Sequence, residues 1–88
     1  MEVISPLERK AVVEAYVLIQ AEVGRAAEVA DAVGKIPGIR FADVVTGPYD
    51  VVVRAEAAEI DGFGKLIVAK VQAVVGVTRT LTCPVLNL

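Results

Sequence analysis

Hydrophobic and polar positions divide the 88-residue chain into six stretches. Residues 15–21 hold the run Tyr16-Val17-Leu18-Ile19, apolar at every position, which predicts a strand buried on both faces. Gly24 breaks it. Over 25–36 the period becomes helical: Ala26, Val29, Ala30 and Val33 fall on one stripe, with Glu28, Asp31 and Lys35 off it. Gly34 weakens the last turn and Pro37-Gly38 ends the helix. Residues 39–46 predict a second strand, with Phe41 and Asp43 on one face. The corner Gly47-Pro48-Tyr49-Asp50 then turns the chain back into a third strand over 50–56. There Val51, Val53 and Ala55 make one face, and Val52, Arg54 and Glu56 the other. Residues 57–58 connect to a second helix over 59–75, where Ile60, Phe63, Ile67, Val71 and Val74 follow spacings of three and four. Gly62 and Gly64 each cost that helix about 1 kcal/mol relative to alanine, which predicts either a close approach to the sheet or a later start. Gly76 ends it. Residues 77–85 predict the last strand, and Pro84 bars its far end from a central position.

The order is strand, helix, strand, strand, helix, strand. Each helix ends in a glycine followed by a β-branched residue, Gly38-Ile39 and Gly76-Val77, so the two halves form a weak internal repeat. A split β-α-β pair of this kind predicts an α+β, ferredoxin-like sandwich, with two helices on one face of a four-stranded antiparallel sheet. The opposite face, with side chains such as Leu18 and Val52, has no helix to cover it. It is too apolar for water, so the expected cover is the sheet of a second copy. Residues 1–13 precede the domain at 14–88. Ser5-Pro6-Leu7-Glu8 reads as a capping box, so the extension is a short helix or a flexible tail.

Composition sharpens the expectation of self-association. Hydrophobic residues make up 56% of the chain, and mean hydropathy is +0.64. A typical soluble domain is roughly 45–50% apolar, and one this short buries only about 60% of its unfolded surface. No stretch reaches the roughly 18 apolar residues of a membrane helix, and the N-terminus lacks the pattern of a secretory signal. The surplus apolar surface therefore predicts a homo-oligomer. Net charge is −2 with scattered cations, which argues against direct nucleic-acid binding. One cysteine, Cys83, allows no internal disulfide, and there is no histidine for general-base or metal chemistry. Neither a metal nor a cofactor is implied, and a cytoplasmic setting fits. Cys83, next to Pro84 in an apolar strand, reads as a buried structural thiol.

The corner itself holds the candidate chemistry. Gly47 admits backbone conformations other residues avoid, and Pro48 fixes the next φ. A turn needs only a glycine and a polar residue, so Tyr49 and Asp50 exceed the requirement and suggest recognition. A hairpin in which Asp50 caps its own backbone is the plainer account of the same residues. On this strand order, Ile36-Pro37-Gly38-Ile39, Val45-Thr46-Gly47-Pro48-Tyr49-Asp50-Val51 and Gly76-Val77-Thr78-Arg79-Thr80-Leu81-Thr82 resemble a known family. It is the effector-binding domain, also called the regulation-of-amino-acid-metabolism domain, of the leucine-responsive/AsnC (feast/famine) transcription regulators. Those regulators have an N-terminal helix-turn-helix domain, and the residues before the first strand are too few for one. The resemblance is thus to a stand-alone effector domain.

The resemblance implies dimers formed sheet to sheet, rings of dimers such as octamers or decamers, and a small amino acid bound between dimers. It implies that amides around Gly47 and Pro48 cradle the ligand's carboxylate, Asp50 holds its ammonium and Tyr49 walls the pocket. Thr80 and Thr82, which share a face of the last strand, would hydrogen-bond its polar end. Ordinary β-propensity accounts equally for the threonines. The module would sense an amino acid and act by assembling with full-length relatives. Two alternatives share the strand order. One is an ACT-like amino-acid-binding domain. The other is a small ferredoxin-like enzyme, which the absence of any Ser-His or Cys-His pair disfavours.

Overall fold

Two strand–helix–strand units interleave to make the sheet. A computed structural model describes residues 13–86. The chain forms β1 (Val13–Ala21), α1 (Ala26–Gly34), β2 (Ile39–Val44), β3 (Val51–Ala57), a second helix α2, and β4 (Val77–Pro84). Helix α2 is built from Ile60–Gly62, a π-helical stretch Phe63–Val68 and Ala69–Gln72. The strands pair antiparallel in the order β2-β3-β1-β4, and both helices lie on one face, the ferredoxin-like α+β arrangement expected. Apart from Val13, the first residue of β1, the N-terminal extension lies outside the described residues, and so does the expectation of a helix or tail there.

Alternation along β1 separates core from open surface. Ala15, Val17 and Ile19 are buried with Val51, Val53 and Ala55 of β3, under Val29, Val33, Phe63, Ile67 and Val71 of the helices. Tyr16 on the other face is 39% exposed. The run that reads as buried on both faces is therefore buried on one within a single copy, because both helices sit on the same side. β4 is an edge strand, as Pro84 at its end requires.

Both helices stop sooner than their patterns suggest. Each ends in i→i+3 bonds, Ile36 N–H to Val33 C=O at 3.0 Å and Val74 N–H to Val71 C=O at 3.1 Å, which satisfy the last carbonyls before the turn into a strand. The turn is the same in both halves. Gly38 and Gly76 have φ of 96° and 98°, and Ile39 and Val77 donate back to Ile36 and Val74. Gly38 C=O accepts from Glu56 N–H and Gly76 C=O from Glu22 N–H, both at 2.8 Å. A Cβ on Gly38 would lie 2.8 Å from Ile67 Cδ1, and one on Gly76 would lie 3.0 Å from Val29 Cγ2. The internal repeat is thus physical: Glu22 and Val29 of the first half meet Gly76 of the second as Glu56 and Ile67 of the second meet Gly38 of the first.

The match breaks between strand and helix. Val29 follows Glu22 by seven residues, whereas Ile67 follows Glu56 by eleven. The four extra residues let α2 begin a turn earlier. They also explain Ile60, which is 61% exposed although its spacing suits the core stripe: it opens this added turn. The glycines of that turn do not serve a close approach to the sheet. A Cβ on Gly64 would meet open space, and one on Gly62 only Glu59 Cγ at 3.8 Å.

Candidate functional site

The corner between β2 and β3 is held by backbone and side chains together. Val45 N–H donates to Asp50 C=O at 2.9 Å, closing a four-residue loop, and Asp50 N–H donates to Ile19 C=O at 2.8 Å. Gly47, at φ 150°, makes the turn that a side chain would strain. Asp50 Oδ2 accepts from Ala21 N–H at 2.8 Å, and Gln20 Nε2 donates to Pro48 C=O at 3.0 Å. The carboxylate therefore caps the end of β1 rather than its own backbone. β1 and β4 shift register there, between Gln20 and Ala21, and Thr78 Oγ1 donates to Gln20 C=O at 3.1 Å across the irregularity. Among the described residues, the N–H groups of Thr46, Gly47 and Tyr49 and the second oxygen of Asp50 make no hydrogen bond.

Thr80 and Thr82 stand opposite Ile19 and Val17, so both point to the helix side of the sheet. Gln72 Nε2 of α2 donates to Thr80 Oγ1 at 3.1 Å. Their shared face was legible from spacing, but the face they share could not be read until β4 was registered on β1. In the sheet Ile19 separates Val51 from Thr80, which places the loop and Thr80 two strand spacings apart, roughly 10 Å. Neither principal cavity of a single copy includes Gly47, Pro48, Tyr49, Asp50, Thr80 or Thr82.

The open face has an apolar and a charged end. Leu18 lies between Val52 and Leu81, and Phe41 and Leu81 are 42% and 46% exposed. Cys83 pairs with Tyr16 on this face and is exposed, so it is not the buried thiol its neighbours suggest. At the charged end Glu14 and Glu56 are direct cross-strand partners, a repulsive pairing by itself. Two arginines resolve it. Arg40 Nη1 is 3.1 Å from Glu56 Oε1, and Arg54 Nη2 bonds Glu14 Oε2 while its guanidinium lies 4.7 Å over the Tyr16 ring. Desolvation lowers the Arg54 pKa, but Tyr16 and Glu14 outweigh it and the net shift is upward, so Arg54 stays a cation. These groups line a cavity of about 260 Å³.

A second cavity of about 320 Å³ opens at the other end of β3 from the corner. Pro37, Ala57, Ala58 and Ile67 give it an aliphatic lining, with Gly62, Glu56, Glu59 and Lys70 completing the wall. No cluster of metal-ligating side chains occurs among the described residues, and no described helix is long and apolar enough to cross a membrane.

The family described as the Lrp/AsnC ligand binding domain matches residues 14–88. The chain belongs to this family. An uncharacterised HTH-type transcriptional regulator of Pyrococcus furiosus is 34% identical over 55 residues, 62% of this chain and 37% of the regulator. The chain thus spans little more than a third of the length of the curated relatives it matches. The crystal structure of TTHA0845 from Thermus thermophilus superposes with a TM-score of 0.79 at 25% identity, covering 86% of this chain and 95% of that one. A transcriptional regulator of Neisseria meningitidis, solved with L-methionine, superposes with a TM-score of 0.78 at 20% identity, over 99% of this chain and 58% of that one.

The family is described as a ligand binding domain and the curated relatives are HTH-type transcriptional regulators, so the enzyme alternative falls away. In this Lrp/AsnC domain the sequence reading missed the cavity beneath α2. Its signal was present: the unequal distance from strand to helix in two halves that otherwise repeat.

Proposed function

We propose that this Lrp/AsnC domain is a sensing and oligomerisation module that binds a small amino acid at the β2–β3 corner and passes the signal on through assembly. The observation that supports it most is the corner itself. Its loop is fixed to β1 by Asp50 and Gln20, while the N–H groups of Thr46, Gly47 and Tyr49 make no hydrogen bond among the described residues. Unpaired amides in a tight turn suit a carboxylate, and the second oxygen of Asp50 suits an ammonium. Tyr49 walls the pocket, and Thr80 and Thr82 serve the ligand's polar end. Neither of the two cavities described above includes these groups, which suits a pocket completed by a neighbouring copy. The L-methionine complex of the Neisseria regulator is a precedent for the ligand class.

The open face, with Leu18, Val52, Leu81 and Phe41, seats a second copy, and dimers assemble further into octamers or decamers. Co-assembly with helix-turn-helix regulators of the same family would place the module in the cytoplasm beside them. A panel of amino acids in a thermal-shift assay tests the sensor. At one hundred times its Kd a ligand stabilises the folded state by about 2.7 kcal/mol. Asp50→Ala and, without disturbing the tie to Ala21, Tyr49→Ala should each abolish that rise. Sedimentation tests the assembly. The wild-type chain should be oligomeric and Leu18→Arg monomeric. A monomeric wild type at micromolar concentration refutes the assembly.

A further inference from the structure

We infer that the cavity between β3 and α2 is a second small-molecule site, for an aliphatic zwitterion: an ammonium and a carboxylate on a short apolar stem. Two observations meet there. The first is the cavity, about 320 Å³, a size that suits a small ligand, bounded by Pro37, Ala57, Ala58 and Ile67. Its wall holds two residues whose charge is free for a ligand, Glu59 and Lys70, because the Glu56 side chain lies on the open face. Glu56 is paired with Arg40 at 3.1 Å. Glu59 and Lys70 form no ion pair with any described residue. An unpaired carboxylate and an unpaired ammonium beside an aliphatic lining complement a zwitterion of opposite polarity.

The second observation is the helix. In a regular α-helix Gly62 and Ile67 would point about 140° apart. The π-helical stretch Phe63–Val68 widens the turn, so both line the cavity while Phe63, Ile67 and Val71 keep their places in the core. A π-turn weakens a helix, and two glycines weaken this one further without any steric need for glycine. Gly62 leaves space above the lining where any side chain would enter it. At the matching joint of the other half Arg25 lies against Gly76, with Cδ 3.2 Å from a Cβ built on it, and pairs with Glu22 and Glu28. This site lies at the other end of β3 from the corner and is complete within one chain, so it does not depend on the proposed sensor.

Methyl-labelled protein, in whatever oligomeric state it adopts, should be titrated with three probes: L-leucine, isoamylamine and 4-methylpentanoate. L-leucine should shift the Ile67 δ1 methyl saturably, and the two singly charged probes should bind at least tenfold more weakly. Glu59→Gln and Lys70→Gln should each weaken L-leucine about tenfold or more, the usual loss for a hydrogen bond to a charged group. Gly62→Ala, which fits sterically, should also weaken it. Asp50→Ala should leave the Ile67 response intact, which separates this site from the corner. An Ile67 methyl unmoved at millimolar L-leucine overturns the inference. So does equal binding of all three probes, or unchanged binding in both charge variants.

Discussion

The two halves of the molecule share one plan and differ at one joint. In β1–α1–β2 the chain leaves Glu22 and enters a regular nine-residue helix, and Arg25 closes the space over Gly76. In β3–α2–β4 four more residues intervene, the helix opens with an added turn and a π-helical stretch, and a cavity remains. Where the first half has Arg25, the second has Phe63, 3% exposed and packed in the core. The same frame of glycine turn, buried aliphatic and strand-end amide thus tolerates two solutions at the strand–helix joint. One is filled by a charged side chain that stays partly in water. The other draws an aromatic inward and leaves a space beside it.

The comparison is most easily broken at Phe63. Phe63→Ala should destabilise the fold by about 3–5 kcal/mol in urea unfolding, enough to threaten a domain of this size. Next come the paired glycines. Gly38→Ala brings a Cβ to 2.8 Å from both the Glu56 carbonyl and Ile67 Cδ1, at φ 96°. It should cost about 2–4 kcal/mol from backbone strain and overpacking together. Gly76→Ala meets only side chains, of which Arg25 can move, and should cost about 1–2 kcal/mol. Equal losses at the two glycines would show that the halves do not differ in the way described. Gly62→Ala should raise stability by up to about 1 kcal/mol, because its φ of −61° suits alanine and the added methyl enters space. Arg25→Ala, at the position that matches Phe63, should cost less than about 1 kcal/mol, since its ion pairs are exposed and only its stem packs. The contrast between Arg25→Ala and Phe63→Ala measures how far the halves have diverged.

Most of the fold was legible because strands and helices left distinct periods. Val51, Val53 and Ala55 alternate as a half-buried strand must, and Val29 and Val33 recur as a helix stripe must. Pro84 marked an edge, and Gly38 and Gly76 marked two equivalent turns. What stayed hidden depends on contacts between distant residues. No local propensity announces the π-turn, since Phe63, Ile67 and Val71 stand at spacings that a regular α-helix would also place on one stripe. Spacing put Thr80 and Thr82 together, but only the pairing of β4 with β1 decides that they face Gln72 rather than the open side. Asp50 was legible as a turn residue. That its carboxylate reaches Ala21, 29 positions back, is a property of the sheet.

The pairing of the first strand with the last has a consequence for synthesis. Val17 meets Thr82, 65 positions further along the chain. Closing so long a loop is slow, and its entropy is lost before any ladder bond repays it. On the ribosome, β3 can shelter one margin of β1 as soon as it emerges. The other margin stays bare until β4 has been made, and during that interval the nascent polypeptide is most vulnerable to sticking to its neighbours.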